Sequence, residues 1–282
     1  MDNFWQGLAD DVLASLTAYR ARIGSLDISM KPDDTLLTEA DIEVQNLIVQ
    51  RIRDLDADAY VIAEEDTSDT SAALRSGQTV SGNVWIVDPI DGTAQFVKPD
   101  EVDYCSVVAF YKDGQPSSTL IVVPEFGPGR TPVVIYGSIE DNSVTVNGTP
   151  VQIQRPRPLS HTASATRSQG DPPSTIEAAL AAKGYGIKSR TTSQTLDMVR
   201  TALDLSELSP VAEPFDLFHR RDQKLWDAAA GMCLAEIAGL AIHDEHGGDI
   251  LPLPSEFLAL PEPVLTSSLV GNADLIRELL SC

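Results

Sequence analysis

The most informative segment of the chain is VWIVDPIDGT, at residues 84–93. Its first four residues are apolar, which predicts a buried strand. Pro89 cannot continue a hydrogen-bond ladder and Gly92 permits a tight turn, so we expect the strand to end within the segment. Two carboxylates, Asp88 and Asp91, are therefore predicted to stand at the end of a core strand, where burial makes their charge costly.

A second short apolar run ends in acids in the same way. Residues 60–63 predict another buried strand, and residues 64–66 are Glu-Glu-Asp. If the two strands lie side by side, at least three acids converge, and such acids must be protonated, separated or bridged by cations. Oxygen ligands without His or Cys indicate a hard ion such as Mg²⁺ rather than Zn²⁺. Asp227, at the start of an Ala-rich helix predicted at residues 225–238, is expected to supply a remote fourth carboxylate.

The turn that follows the first strand offers groups for an anion. The backbone N–H groups of Gly92 and Thr93 are expected to form an anion-binding nest, and metal on the other side completes a site that fits a phosphate ester. A two-metal site polarises the phosphoryl oxygens, lowers the pKa of a bound water and stabilises the leaving alkoxide. We expect Thr93 to orient that water through its hydroxyl, with Asp41 or Glu65 accepting the proton.

The composition describes a globular protein with an acidic surface. The 282 residues are 43% hydrophobic and carry 42 acidic against 20 basic side chains, a formal net charge of −22. Such a surface repels phosphate backbones and anionic lipids, so we expect neither a nucleic-acid polymer nor a membrane as a partner. The N-terminus lacks signal-peptide features and no apolar run approaches about 18 residues, the length of a membrane span, which predicts a cytoplasmic protein.

Cysteine and histidine add no metal site to this picture. Cys105, Cys233 and Cys282 are odd in number and widely spaced, which predicts reduced thiols rather than disulfides or a thiolate zinc site. Residues 243–246, His-Asp-Glu-His, have the side-chain types of a zinc ligand set. Because Gly-Gly-Asp follows at residues 247–249, we interpret the run as a turn between strand ends.

The periodicity of apolar residues changes along the chain. Residues 2–23 and a segment from Thr38 to Ile52 have helical spacing, and Thr38 with Asp41 has the spacing of a capping box. Strand-like runs follow, and the pair Asn147-Gly148 predicts a tight hairpin turn. The predicted strands are residues 60–63, 84–87, 105–111, 119–123, 132–136, 144–146 and 151–153, and later helices are predicted near residues 174–183, 194–205, 225–238 and 273–280.

This order of elements predicts an α+β or layered α/β fold, because two helices precede a block of strands and mixed elements follow it. The Pro-containing stretch Arg155–Leu159 is the expected boundary between two lobes. We predict an N-terminal lobe at residues 1–155, which carries the metal and phosphate motifs. The C-terminal lobe at residues 156–282 is expected to supply Asp227 and the residues that select the substrate.

Four separated motifs resemble those of the inositol monophosphatase family. Residues 37–41 (LTEAD) are similar to its VTxxD motif, residues 63–65 (AEE) to GEE, residues 88–93 to the full DPIDGT signature, and residues 226–231 (WDAAAG) to WDxAAG. These Mg²⁺-dependent phosphatases share a fold with fructose-1,6-bisphosphatase and bisphosphate nucleotidases. The resemblance implies an αβαβα sandwich, often a homodimer, that hydrolyses a small phosphate monoester.

The resemblance also implies a set of metal ligands. Glu64, Asp88 and the carbonyl of Ile90 are expected to bind a first Mg²⁺ ion. Asp88, Asp91 and Asp227 are expected to bind a second ion, and Glu64 to touch a third, weaker one.

Further roles follow from the same resemblance. Gly92 and Thr93 are expected to hold the phosphate, and Thr93 with Asp41 to activate the nucleophilic water. Lys31, in the loop before the second helix, is similar to a mobile basic residue of the family, displaced by one position.

The segment before residue 226 departs from the family pattern. Where the family commonly has Gly-Ser near the start of a helix, Thr192-Ser193 keeps only the serine, which we expect to contact substrate. Residues 203–214 resemble an insertion, and Arg220 stands where the family has an acid that contacts inositol hydroxyls. The substrate therefore stays open: an inositol phosphate, a sugar phosphate and a 3′,5′-bisphosphonucleotide are all candidates.

Three basic residues in this segment have two interpretations. Arg220, Arg221 and Lys224 could serve a second anionic group of the substrate, as in a bisphosphate or a phosphorylated acid. The alternative is that they only make the surface soluble.

Two other functions remain open at this point. A haloacid-dehalogenase-type phosphatase also places acids after an apolar strand, but its aspartyl chemistry needs acids at i and i+2, whereas Asp88 and Asp91 are three residues apart. A non-catalytic metal- or phosphate-binding relative is the second alternative. The presence of every expected ligand and of Thr93 favours the enzyme over it.

Overall fold

Two β-sheets alternate with three layers of helices. The computed structural model describes residues 3–31, 35–67, 70, 80, 82–153, 157–168, 170–209 and 212–281. From one face to the other, the layers are a helix pair, a seven-stranded sheet, a second helix pair, a five-stranded sheet and an outer helix pair. This confirms the layered α/β fold that the element order predicts and the αβαβα arrangement that the family resemblance implies.

The first helix layer consists of α1 (Asn3–Arg20) and α2 (Glu39–Leu55). α1 ends three residues before the predicted position, because the chain tightens into a 3₁₀ turn at Ile23–Ser25. A short antiparallel ribbon of β1 (Ile28–Met30) and β2 (Leu36–Thr38) connects the two helices. The apolar stripes that pack on the sheet include Trp5, Leu8, Val12 and Leu16 of α1, and Val44, Ile48 and Ile52 of α2.

The seven-stranded sheet follows the order of the chain. Its strands are β3 (Tyr60–Ala63), β4 (Asn83–Asp91), β5 (Cys105–Lys112), β6 (Gln115–Phe126), β7 (Thr131–Ser138), β8 (Ser143–Val146) and β9 (Thr149–Pro150), and the short helix α3 (Thr93–Phe96) follows β4. β3 and β4 are parallel, whereas every later pair is antiparallel.

The hairpin at the end of this sheet corrects one predicted strand. Asn147 and Gly148 form its turn, with φ of 50° and 75°, as the sequence indicates. The returning strand is Thr149–Pro150 rather than residues 151–153. A two-residue turn sets Thr149 directly opposite Val146, so pairing begins as soon as the turn ends.

The second half of the chain forms the remaining layers. The outer helices are α4 (Thr175–Ala182) and α8 (Ala273–Leu280), the middle helices are α5 (Gln194–Ala202) and α6 (Leu225–Ile237), and a short helix α7 (Ser255–Leu258) lies between strands. The five-stranded sheet has the order β11 (Gly186–Arg190), β10 (Thr162–Arg167), β12 (Leu217–Lys224), β14 (Val264–Gly271), β13 (Ala241–His243). β10 is parallel to both of its neighbours.

The middle helices form the centre of the core. α6 is buried on nearly every face, and a Cβ atom at Gly231 would lie 2.5 Å from the Cβ of Met198 in α5. This close approach explains the alanine and glycine content of α6. α5 ends at Ala202 rather than at Leu205, because Leu203 is extended and its buried side chain packs into the core beyond the helix.

Some predictions fall outside the described residues. The lobe boundary expected at Arg155–Leu159 lies partly there, since residues 154–156 are not described, and the division at residue 155 stays a prediction. The same holds for residues 210 and 211 within the expected insertion and for the thiol of Cys282. Among the described helices, none has the length and apolar content required to cross a bilayer.

Candidate active site

Parallel pairing of β3 and β4 brings the two acidic strand ends together. Ala63 lies opposite Val87, and the N–H of Glu64 donates to the carbonyl of Val87 at 3.1 Å. Glu64, just after β3, and Asp88, within β4, therefore lie side by side, which is the condition that the sequence left open. The charge of Glu64 is the second contribution, after burial, that raises the pKa of Asp88.

Pro89 does not end β4, contrary to expectation. The strand continues to Asp91, and the register shifts between the pair Asp88–Val107 and the pair Asp91–Cys105. A proline lacks the N–H that the ladder needs, so it lies in this bulge rather than at a strand end. The bulge gives the two aspartates their separate positions at the edge of the sheet.

Asp88, Asp91 and Asp227 form one carboxylate cluster. Each contributes an oxygen that lies within 4.8 Å of the others. Asp88 is only 1% exposed, and within the described part of the chain neither of its carboxylate oxygens has a hydrogen-bond partner. Burial raises the pKa of all three acids, that of Asp91 to about 6. Such orphaned buried oxygens fit a hard divalent cation, which would satisfy them.

The N-terminus of α5 holds Asp91 in place. One carboxylate oxygen accepts from the hydroxyl of Ser193 at 2.7 Å and from the N–H of Thr195 at 2.7 Å, and the other accepts from the N–H of Gln194 at 3.3 Å. Ser193 is fully buried and also accepts from the N–H of Leu196 as the helix cap. The serine expected to contact substrate thus contacts a metal-ligand candidate in this structure.

Gln194 is a site residue that the sequence analysis missed. Its side-chain N–H donates to a carboxylate oxygen of Asp227 at 2.6 Å, and the hydroxyl of Thr195 donates to the carbonyl of Asp227 at 3.1 Å. Asp227 lies in the first turn of α6. These hydrogen bonds therefore join the N-terminus of α5 to the N-terminus of α6. The only sequence signal for Gln194 is its position at a predicted helix start.

Asp41 connects the first helix layer to the DPIDGT turn. One of its oxygens accepts from the N–H and the hydroxyl of Thr38, at 2.7 and 2.6 Å, which completes the predicted capping box. The other lies 3.1 Å from the hydroxyl of Thr93, which also lies 3.0 Å from the carbonyl of Ile90. Burial raises the pKa of Asp41 to about 6. Asp41 is thus both the helical member of the capping box, whose N-cap is Thr38, and a base candidate.

Gly92 adopts a conformation that suits the phosphate nest. Its φ is 93°, and a Cβ atom there would lie 2.8 Å from the carbonyl oxygen of Asp103. No side chain fits this position, and α3 begins at the next residue, Thr93. A left-handed residue followed by a helical turn directs successive N–H groups to one point, as an anion site requires.

Lys31 supplies the cation that the sequence around the acids lacks. Its ammonium lies 2.8 Å from Glu64 and 2.5 Å from Glu65. Burial, followed by the charge of Glu64, raises the pKa of Glu65 to about 7, and Lys31 opposes this. Since the carboxylate of Glu65 contacts Lys31 while Asp41 contacts Thr93, the geometry favours Asp41 over Glu65 as the proton acceptor.

The three basic residues before α6 have different surroundings. Arg221 binds Glu245 at 2.7 Å, and Lys224 forms an ion pair with Glu262. Among the described residues, Arg220 donates to two hydroxyls, those of Thr191 at 3.1 Å and Ser168 at 3.2 Å, and forms no ion pair. In this part of the chain, Arg220 is therefore the one of the three that an anionic ligand could bind without breaking an ion pair.

The expected insertion at residues 203–214 does not line the carboxylate site in its described part. Residues 203–208 line a cavity of about 980 Å³ together with residues 149–153 and the start of α8, and no metal-ligand candidate is among its lining residues.

The run at residues 243–246 forms a turn, as predicted, because Asp244 accepts from the N–H groups of His246 and Gly248, both at 2.8 Å. Cys105 and Cys233 are free, buried thiols.

Comparisons with known proteins identify relatives in sequence. Residues 3–278 match a family model described as the inositol monophosphatase family. A histidinol-phosphatase of Mycobacterium tuberculosis is 40% identical over 108 residues, which span 37% of this chain and 38% of that protein. The 3′(2′),5′-bisphosphate nucleotidase CysQ of Escherichia coli is 26% identical over 239 residues, 84% of this chain and 87% of that one.

Solved structures share the fold. The extragenic suppressor protein SuhB of Bartonella henselae superposes with a TM-score of 0.73 at 19% identity, covering 99% of this chain and 96% of its own. An IMPase/NADP phosphatase complexed with NADP and Ca²⁺ gives a TM-score of 0.73 at 20% identity, covering 100% and 96%. At this identity the likeness establishes the layered architecture.

Proposed function

This chain belongs to the inositol monophosphatase family, and on that premise we propose that it is a Mg²⁺-dependent phosphatase that hydrolyses a small phosphate monoester by attack of water. The observation that carries the proposal is the carboxylate of Asp88, which is buried beside Asp91 and Asp227 with no partner for either oxygen among the residues that the structure describes. A cluster of this kind needs cations before it can all be ionised.

The metal ligands of the proposal are those that the family resemblance implies. Glu64, Asp88 and the carbonyl of Ile90 would hold one Mg²⁺ ion. Asp88, Asp91 and Asp227 would hold a second, and Glu64 is available to a third. When bound, the ions supply positive charge to the phosphoryl oxygens and lower the pKa of water.

The remaining residues have roles that their contacts support. Thr93 would orient the attacking water with its hydroxyl, and Asp41, 3.1 Å from that hydroxyl, would accept the proton. The N–H groups of Gly92 and Thr93 would hold the phosphate. Lys31 adds a positive charge beside Glu64, and Ser193 acts on Asp91 rather than on the substrate.

Location and assembly complete the proposal. We place the protein in the cytoplasm as a homodimer, and its net charge of −22 disfavours nucleic-acid and membrane partners. Since the chain belongs to a different family, the haloacid-dehalogenase alternative has no further support. Light scattering on the purified protein tests the dimer directly.

The test of the activity is phosphate release from a panel of esters. We expect release from a panel of inositol, sugar and histidinol phosphates and bisphosphonucleotides to require added Mg²⁺ and to stop in excess EDTA. Full activity in EDTA, or a phosphorylated aspartate trapped at Asp88, would overturn the mechanism. Binding of Mg²⁺ without turnover of any ester would favour the non-catalytic relative.

A further inference from the structure

Gln194 contacts both of the helix-bound or helix-facing acids that are proposed to hold the second ion. Its backbone N–H donates to Asp91 at 3.3 Å, and its side-chain N–H donates to Oδ2 of Asp227 at 2.6 Å. Gln194 is the first residue of α5, so these bonds connect the start of that helix to both carboxylates. One residue therefore contacts two candidate metal ligands through two different groups.

The two acids are held to different degrees. Asp91 accepts from the hydroxyl of Ser193 and from two backbone N–H groups at the start of α5. Among the residues that the structure describes, the side-chain amide of Gln194 is the one N–H or hydroxyl group that donates to the carboxylate of Asp227. A change of the Gln194 side chain would therefore release Asp227, while the backbone bond to Asp91 stays in place.

Asp227 needs such a contact because its neighbours repel it. Burial raises the pKa of Asp227, and the charges of Asp91 and Glu64 raise it further. Asp227 lies on α6 whereas Asp88 and Asp91 lie on β4, so backbone geometry within one element does not fix the distance between them. A hydrogen bond from Gln194 fixes the orientation of the carboxylate, and because the amide is neutral it leaves the negative charge to a cation.

Stability alone does not explain a glutamine at this position. The side chain of Gln194 is only 8% exposed, and within the described part of the chain its Oε1 has no hydrogen-bond partner. Only the nitrogen of an amide can donate to a carboxylate, so the bond to Asp227 is made at the other end of the group from this oxygen. A buried acceptor without a partner destabilises the fold, and an apolar side chain of similar size would avoid that loss.

The packing of α5 against α6 does not require the side chain of Gln194 either. The hydroxyl of Thr195 donates to the carbonyl of Asp227 at 3.1 Å, which already connects α5 to the first turn of α6. Further along the two helices, Gly231 packs closely against Met198. What the side chain of Gln194 adds to these contacts is its bond to the carboxylate of Asp227.

We propose that Gln194 is a positioning residue of the metal centre: its side-chain amide holds the carboxylate of Asp227 in the orientation that binds the second Mg²⁺ ion, and it thereby sets the affinity for that ion. The inference rests on the phosphatase function proposed above, whose ligand set includes Asp227. Gln194 acts through this acid and not on the ester.

Gln194→Met tests this role, because methionine has a similar length and no N–H donor in its side chain. Titration calorimetry with Mg²⁺ and without substrate should show the dissociation constant of one ion raised by about 10- to 100-fold, the usual effect of removing a group that hydrogen-bonds to a metal ligand. In the phosphate-release assay, the Mg²⁺ concentration for half of the maximal rate should rise by a similar factor. Excess Mg²⁺ should restore most of kcat, since the ion and not the ester depends on Gln194.

Gln50→Met is the matched control. Gln50 donates to Asp54 at 2.7 Å on the exposed face of α2, which is the same kind of amide–carboxylate bond outside the carboxylate cluster. This variant should keep the Mg²⁺ dissociation constants of wild type. Urea unfolding in EDTA should show Gln194→Met to be at least as stable as Gln50→Met, because it removes an unsatisfied buried oxygen. Circular dichroism verifies folding, and Gln194→Ala takes the place of Gln194→Met if the latter does not fold.

The results separate the role of Gln194 from the enzyme activity. Mg²⁺ dissociation constants equal to those of wild type, or a loss of kcat that excess Mg²⁺ does not restore, would overturn the positioning role while the phosphatase stands. If wild type hydrolyses no ester, the calorimetric comparison decides, and weaker binding of one ion by Gln194→Met supports the role without the activity. If wild type binds no Mg²⁺, the metal centre and this inference are both wrong.

Discussion

Asp88 and Asp197 are both 1% exposed, yet the protein treats them in opposite ways. Asp197, on α5, accepts from the ammonium of Lys188 at 2.5 Å and from the hydroxyl of Ser164 at 2.8 Å. Asp88, on β4, has no partner for either oxygen among the described residues. Burial raises the pKa of both acids, but only Asp197 has a cation and a hydroxyl that oppose the shift.

The difference separates a structural acid from a functional one. A buried carboxylate with its own cation is complete and stabilises the packing around it, provided that both partners remain. A buried carboxylate without one costs free energy in the isolated protein, and its retention indicates a ligand from outside. Burial alone therefore does not identify a site; the missing partner does.

The largest effect is expected where the partner is missing. Asp88→Asn removes a proposed ligand of two ions, and we expect the rate of phosphate release to fall by more than about 100-fold. This exceeds the loss typical of a residue that only hydrogen-bonds to a metal ligand. The same change should leave the metal-free protein as stable as wild type or more stable, because it removes a buried negative charge from a repelling cluster. Steady-state kinetics and urea unfolding in EDTA measure the two quantities. If Asp88→Asn lost stability and kept its activity, Asp88 would be the structural acid and not the functional one.

The second prediction concerns the acid that has its partner. Lys188→Met leaves Asp197 buried without a cation, and because Lys188 is itself 21% exposed we expect a loss of about 3 kcal/mol, at the lower end for a broken buried pair. Urea unfolding measures the loss. The double variant that adds Asp197→Asn should recover much of it, since the remaining side chain is neutral. A cost below about 0.5 kcal/mol, the level of a surface change, contradicts the role given to this pair.

The sequence predicts one of these two acids far better than the other. Asp88 follows an apolar run and precedes a proline and a glycine, so local pattern alone places it on a buried strand close to a turn. Asp197 lies within an ordinary helical segment, and its partner Lys188 lies on the neighbouring β11, a strand that no predicted element included. Pairing across elements is a tertiary property that one sequence does not display.

The same limit explains the other differences at the site. Gln194 and Lys31 reach the acids only because separate elements begin or end at the same edge, so neither contact has a local signal. The family resemblance implies a substrate contact for Ser193, and nothing in the neighbouring sequence indicates that its hydroxyl binds Asp91, which lies 102 residues away. Local motifs thus predicted the carboxylates and the turn, and the fold supplied their partners.

Mg²⁺ itself should act on only one of the two acids. Because the ion binds the folded protein, it should stabilise wild type by about 2.7 kcal/mol at 100 times its dissociation constant. Asp88→Asn should lose this gain in unfolding free energy. Lys188→Met should keep the gain, although its unfolding free energy without Mg²⁺ is lower. Thermal unfolding with and without Mg²⁺, with Ca²⁺ as a second ion, measures it. An equal Mg²⁺ shift in wild type and Asp88→Asn would place the ion elsewhere.

The smallest expected effect concerns a third acid, Asp41. Asp41 lies between the two cases, because one oxygen is satisfied by Thr38 while the other faces Thr93. Thr38→Ala removes the hydroxyl half of the capping box, and we expect a loss of about 1 kcal/mol in unfolding free energy, the usual value for a helix N-cap. Asn272→Ala, which removes the cap of α8 in the outer helix layer, is the matched control for the cap alone. If Asp41 also positions Thr93, Thr38→Ala should lower kcat while Asn272→Ala does not, and equal kcat in both variants would confine Thr38 to the helix cap.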